Sequence, residues 1–254
     1  MSERNKIYFA SDFHLGAPDY ESSLIREKRI VRWLDSIEND VSELYLLGDI
    51  FDFWYEYKHT IPKGFTRLLG KLAFMSDSGI KIHIFTGNHD LWMKDYLGRE
   101  LGSDINYGPV IRQIGAKRFY IAHGDGLGPG DHGFKFMKSI FTNKMAQWFF
   151  SRIHPNAAIS MANYFSRKSR AQTGVDDYQF YGEDKEWLII HSKELLKKEH
   201  FDYFIYGHRH YPLVVDIGSG SKYVNLGDWI KYFSYAEWDG TNLQLKYFEK
   251  FNDQ

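Results

Sequence analysis

The stretch Ile7-Tyr8-Phe9-Ala10-Ser11-Asp12-Phe13-His14 is an apolar run of strand length that stops at a carboxylate and an imidazole. The same pattern returns at Leu44-Tyr45-Leu46-Leu47 before Gly48-Asp49, and at Ile80 to Phe85 before Gly87-Asn88-His89-Asp90. It returns again at Phe119-Tyr120-Ile121-Ala122 before His123-Gly124-Asp125, and at Tyr203-Phe204-Ile205-Tyr206 before Gly207-His208-Arg209-His210. Short apolar runs bounded by polar and glycine-rich sequence read as buried strands. Between the first three lie Leu24 to Ile37 and Phe65 to Met75, with apolar positions such as Ile30, Trp33, Leu34 and Ile37 at helical spacing. The order is β-α-β-α-β, which predicts an α/β fold. Beyond Tyr206, strand-like pieces at Leu213 to Val215, Lys222 to Val224, Tyr235 to Trp238 and Leu243 to Tyr247 follow, the last two joined at Asp239-Gly240, a hairpin signal. Mixed sheets are therefore expected.

In an open α/β sheet, ligands bind at the carboxyl ends of the strands, so side chains far apart in sequence are expected to meet there. Asp12, His14, Asp49, Asn88, His123, His208 and His210 are too many ligands for one cation and suit two, with Asp49 the best bridge. Imidazole, carboxylate and amide ligands without sulfur suit Mn²⁺, Fe or Zn²⁺ better than Ca²⁺. Two such ions about 3.5–4 Å apart are suited to in-line phosphoryl displacement, so hydrolysis of a phosphate ester or anhydride is the predicted chemistry. Each element alone is ordinary, since Gly-Asp is a common turn and a single strand-end His is more often structural. The weight lies in the set.

Composition narrows the field. With 254 residues, 43% hydrophobic and 26% charged, the chain has an ordinary globular balance, which argues against disorder or low complexity. Cys 0 excludes disulfides, thiolate nucleophiles and sulfur-ligated metals. The first residues carry no apolar signal core and no apolar stretch approaches the roughly 18 residues of a bilayer span, so a cytoplasmic protein is expected. The aromatic share of 18% exceeds what such a core needs, which places some rings on a cleft or surface.

The interval from Gly126 to Leu196 breaks the strand-helix alternation and reads as a helical insertion, a cap on a core formed by residues 1–125 and 197–254. From Phe134 to Arg170 it holds seven basic residues and no Asp or Glu, so that segment is +7 while the chain as a whole is −1. Such separation points to an anionic partner at the cap. Phe141, Met145, Trp148 and Phe149 have two readings, ordinary packing of cap on core or contact with a lipid. A surface of rings beside Lys and Arg fits acyl chains next to phosphates or anionic headgroups.

The motifs Asp-x-His, Gly-Asp, Gly-Asn-His-Asp, His-Gly-Asp and Gly-His-x-His resemble those of the calcineurin-like metallophosphoesterases. That resemblance implies a four-layer α/β/β/α sandwich with a dinuclear centre, one ion on Asp12, His14, Asp49 and His210 and the other on Asp49, Asn88, His123 and His208. It also implies that His89 stands beside the scissile phosphate and protonates the leaving oxygen or stabilises its charge. Leu44 to Phe51 with Trp54, His123 to Leu127 with Asp131, Gly207 to His210 with Pro212, and Leu226-Gly227-Asp228-Trp229 resemble more closely the bacterial UDP-2,3-diacylglucosamine pyrophosphohydrolases of lipid A synthesis. That family cleaves a nucleotide-linked diacyl sugar to UMP and a lipid phosphate (lipid X), and its cap shelters the acyl chains. Its best-known branch has Gly-Asn-Arg-Asp where this chain has His89.

Mn²⁺ is the expected metal. Asn88, His89 and Asp131, with Arg167, Lys168 and Arg170 of the cap, are the expected substrate contacts, and a peripheral, reversible contact with the inner membrane is the expected association. The alternatives are a phosphoesterase of soluble nucleotides, other phosphodiesters or nucleic acid, for which the basic cap would track a backbone, and a scaffold without catalysis. Seven convergent ligands argue against a scaffold.

Overall fold

The apolar runs pair into two mixed sheets. In the first, β1 (Lys6–Ala10), β2 (Val41–Leu47), β3 (Lys81–Phe85) and β4 (Asp104–Asn106) are parallel. The antiparallel strands β10 (Ser234–Trp238) and β11 (Leu243–Tyr247) complete its order β11-β10-β1-β2-β3-β4. The second sheet has the order β5-β6-β7-β9-β8, with β5 Val110–Ile114, β6 Lys117–Ala122, β7 Tyr203–Tyr206, β8 Leu213–Gly218 and β9 Ser221–Asn225. Here β6, β7 and β9 are parallel. The structure, a computed structural model, describes residues 4–129, 132–173 and 178–249, with the backbone alone at 132–134, 136–137, 163 and 167–173.

Three apolar layers hold four layers of structure together. Helices α1 (Tyr20–Ile37) and α2 (Thr66–Asp77) cover the outer face of the first sheet, burying Ile30, Trp33, Leu34 and Ile37 along the stripe visible in the sequence. Asp19 caps α1 by accepting from the Ser22 N–H, 2.8 Å away. Between the sheets lie Phe9, Tyr45, Leu47 and Phe85 from one side and Phe119, Ile121, Ile205 and Val224 from the other. The outer face of the second sheet packs on α7 (Trp187–Leu196) through Leu188 and Ile189, both fully buried against Tyr120, Phe204 and Tyr206. Full burial of such a side chain contributes about 1.5–3 kcal/mol. The architecture is α/β/β/α, as the sequence predicts.

The insertion contains α4 (His132–Phe141), α5 (Lys144–Phe150) and α6 (Pro155–Thr173). Within the interval 126–196 read as a cap, α7 packs on the outer face of the second sheet as a layer of the sandwich. Its apolar residues face a sheet rather than a substrate cleft. Two further elements, β4 and the short helix α3 (Tyr96–Leu101), were not expected, and neither was β5.

Candidate metal centre

All five ligand-bearing loops leave the same edge of the two sheets, and backbone bonds tie them together. Asp12 N donates to Gly48 O and His14 N to Asp49 O, at 3.1 and 2.8 Å. Gly207 N donates to His123 O at 3.0 Å, and His123 Nδ1 lies 2.6 Å from Leu47 O, which joins the second sheet to the first. The loops approach so closely that a Cβ at Gly48, whose φ is +82°, would stand 2.6 Å from Gly87 N. Only glycine fits there.

Asp12, His14, Asp49 and His208 adopt φ values of 57°, 44°, 51° and 67°. A left-handed backbone at residues other than glycine costs on the order of 1–3 kcal/mol each, and persists where the surroundings hold it. Four of the seven predicted ligands are so held.

Asp12, His14 and His210 offer ligand atoms within 4.8 Å of one another, as do Asp12, Asp49 and His123. His210 Nε2 lies 3.3 Å from Asp12 Oδ1 and 3.1 Å from His14 Nε2. Asp49 Oδ2 stands between two imidazoles, 3.6 Å from His14 Nε2 and 3.5 Å from His123 Nε2. Asn88 Oδ1 lies 3.3 Å from His123 Nε2 and 3.0 Å from His208 Nδ1. Ligand atoms bonded at about 2.1 Å to one divalent ion stand roughly 3.0–3.4 Å apart, so these separations fit ions between them.

Two further observations fit cations. Asp12 Oδ1 is buried without a hydrogen-bond partner. Burial opposes charge on His14 and His123, yet Asp12 and Asp52 around the first, and Asp49 around the second, raise both to about 10. Burial likewise works against the Asp12 and Asp49 carboxylates, and the surrounding imidazoles nevertheless hold both below the usual range. The carboxylates thus favour positive charge throughout this cluster. The chemistry of the donor set, two carboxylates with hard and borderline nitrogen and oxygen ligands, fits a divalent pair. Burial, helped by the charge of His123, lowers His208 to about 4, so its nitrogen stays available as a ligand.

His89 flanks the cluster, its N–H donating to Asp49 Oδ1 at 2.8 Å and its ring edge-on to His14 with centroids 4.8 Å apart. It also forms a group with His14 and Asp49. Its Nδ1 lies 3.1 Å from Asp52 O, and burial lowers its pKa. Ser166 of α6 donates to Asp52 Oδ2 at 2.8 Å and lies 3.2 Å from His89 Nδ1, so the insertion reaches the centre. Asp131 and the side chains of Arg167, Lys168 and Arg170 lie outside the described residues.

Several supporting residues escaped the motif reading. Asp90 accepts from Gly87 N at 2.7 Å and Ile50 N at 2.9 Å, clamping two ligand loops together, and burial with the charge of Asp49 pushes it up to about 7. It stands inside Gly-Asn-His-Asp, which was its signal. Asp52, 3.4 Å from His14 Nδ1, sits one residue beyond the Leu44 to Phe51 motif. Buried Arg26 donates to His14 O at 2.8 Å and also to Phe13 O and Ala17 O, and a lone helical Arg carries no sequence signal for that task.

On the insertion, Phe141 and Phe150 pack against Trp92 at ring distances of 5.6 and 4.5 Å, as packing of cap on core requires. Met145, Trp148 and Phe149 do not, and are exposed. Cap-to-core packing thus accounts for the first of the four apolar residues weighed in the sequence and not for the other three. Among the described residues, no helix is long and apolar enough to cross a membrane.

A fold of this kind with a buried His/Asp cluster at its strand ends defines a metallophosphoesterase. The calcineurin-like phosphoesterase family model matches residues 5–212, and the chain belongs to that family. It is a metal-dependent phosphoesterase. Among its relatives is a UDP-2,3-diacylglucosamine hydrolase from Porphyromonas gingivalis, 36% identical and covering 97% of this chain and 98% of that protein. Another of the same name, from Aeromonas hydrophila, is 25% identical over 88% of this chain and 90% of its own. Among solved structures, the phosphoesterase Yfce from E. coli overlaps with a TM-score of 0.44 at 15% identity, over 91% of this chain and 87% of that one.

Proposed function

We propose that the chain hydrolyses the pyrophosphate of UDP-2,3-diacylglucosamine to UMP and the lipid phosphate lipid X, a step of lipid A synthesis. The near end-to-end match to the P. gingivalis protein that bears this substrate's name carries the reading. Exposed Met145, Trp148 and Phe149 on a basic insertion support it, because a water-soluble nucleotide needs no such surface.

In this reading Asp12, His14, Asp49 and His210 hold one ion and Asp49, Asn88, His123 and His208 the other, both Mn²⁺. When bound, the pair supplies Lewis-acid charge and lowers the pKa of water for in-line attack at phosphorus. Asp49, common to both ligand sets, would belong to both sites. Asn88 and His89 orient the phosphate, and His89, its Nδ1 held beside Asp52 O, protonates the leaving oxygen or stabilises its charge. Asp131, Arg167, Lys168 and Arg170 contact the substrate from the cap. Its rings shelter the acyl chains and touch the cytoplasmic face of the inner membrane reversibly.

The test is an assay with Mn²⁺ comparing UDP-2,3-diacylglucosamine with UDP-N-acetylglucosamine. A strong preference for the lipid is expected. Equal rates would defeat the role of the cap and leave a phosphoesterase of soluble nucleotides.

A further inference from the structure

The insertion returns to the core through Tyr178–Trp187, a segment that the ligand count leaves without a task. It grips the loop Gly207–His210, which carries two of the predicted ligands, from both sides. On one side Arg209, buried, places Nε 3.2 Å from Glu186 Oε2, donates from Nη2 to Gln179 O at 3.3 Å and lies 4.7 Å from the centre of the Trp187 ring. On the other side, the Tyr178 hydroxyl donates to Asp228 Oδ2 at 2.7 Å and stands 3.4 Å from His210 Nδ1.

Asp228 is fully buried, and its Oδ1 accepts from Lys231 N at 2.9 Å and Tyr232 N at 3.0 Å, so its carboxylate cannot swing away. Its Oδ2 lies 3.7 Å from His210 Nδ1, too far for a direct hydrogen bond. A carboxylate only accepts, so the phenol must donate to it. The phenol oxygen then faces His210 as an acceptor, and an N–H at Nδ1 suits it. That tautomer leaves the Nε2 lone pair free, on the side facing Asp12 Oδ1 and His14 Nε2.

We propose that Tyr178 is a positioning residue of the metal centre. It connects the buried charge of Asp228 to His210 and keeps the proton on Nδ1, so that Nε2 stays open to the ion. The end of the insertion is thereby part of what holds the metal. The inference rests on His210 being a ligand, as proposed above.

The relay has a polarity that can be reversed. In Asp228→Asn the side-chain oxygen stays on the two backbone N–H groups, since an amide NH₂ cannot accept from them, and that NH₂ turns to Tyr178. The phenol then accepts from the amide and donates toward His210 Nδ1, which drives the imidazole proton to Nε2. Tyr178→Phe keeps the ring and merely removes the relay.

Mn²⁺ titration of the full metal-free chain, followed by the electron paramagnetic resonance of free Mn²⁺, reads the effect. His210→Ala should lose one of two binding events. Tyr178→Phe should weaken one site about tenfold and Asp228→Asn by more, toward a hundredfold, with the other site and the metal-free melting temperature unchanged. A purely structural contact would reverse that order, because Asp228→Asn is the smaller change of shape. Wild-type binding by Tyr178→Phe, with one site lost in His210→Ala, overturns the relay and spares the ligand assignment. Wild-type binding by His210→Ala overturns the assignment itself and the relay with it.

Discussion

Asp12, Asp49 and His123 at the strand ends are almost wholly buried, whereas Met145, Trp148 and Phe149 on α5 leave 69%, 53% and 62% of their surface exposed. The crevice concentrates charge where water cannot reach it and fixes it with left-handed backbone and converging hydrogen bonds. The insertion spreads apolar area where water does reach it, among Lys and Arg. In the proposed reading, bond cleavage and choice of substrate reside in separate parts of the chain, which meet at Ser166 and Tyr178.

The sharpest way to break that division is to remove the group on which the crevice depends most. Asp49 faces both His14 and His123, so Asp49→Ala should cost at least about 10³-fold in turnover of a generic phosphodiester, together with bound metal. Metal analysis and the same assay check it; retained turnover would mean that the charge cluster is not where hydrolysis occurs. Next in size is a change in packing rather than in charge. Leu188→Ala on α7 should destabilise the fold by about 3 kcal/mol in a denaturant titration, because Leu188 is fully buried against the second sheet. A loss below about 1 kcal/mol would return α7 to the cap, since such a cost is that of an accessible site.

His89→Ala comes third. In the proposed reading His89 stands beside Asp49 and acts on the leaving oxygen rather than as a ligand, so kcat should fall about 10²-fold while both ions stay bound. Metal loss in this variant would move His89 into the coordination set and merge two roles kept apart here.

Much of this arrangement is legible in the sequence, for a physical reason. Strands β1, β2, β3, β6 and β7 are covered on both faces, so they end in apolar residues, with only Lys81 and His83 breaking the run that leads to Phe85, and parallel pairing brings their carboxyl ends to one edge. A ligand one to four residues past each run is then bound to meet the others. Strands β4 and β5 are illegible because they are short or half exposed at sheet edges, where composition records solvent as much as pairing. Arg26 and Tyr178 are illegible because their tasks are set by what folds over them. Three carbonyls around Arg26 come from the loop after β1, and Tyr178 reaches partners 32 and 50 residues away. The place of α7 is illegible for the same reason, since only the sheet beneath Trp187 to Leu196 shows that this helix packs as a layer.

The smallest effect probes the insertion. Trp148 and Phe149 are exposed neighbours on α5, so replacing both with Ser removes apolar area that the folded chain does not bury. Stability should therefore change by no more than about 0.5 kcal/mol. If the rings hold acyl chains, the KM for UDP-2,3-diacylglucosamine should rise about tenfold, the equivalent of losing roughly two buried methylene contacts. The rate on a small phosphodiester should not move, because that substrate reaches only the crevice. Equal losses on both substrates would show that α5 shapes the metal centre, and the separation of the two regions would fail at the point where they lie furthest apart in character.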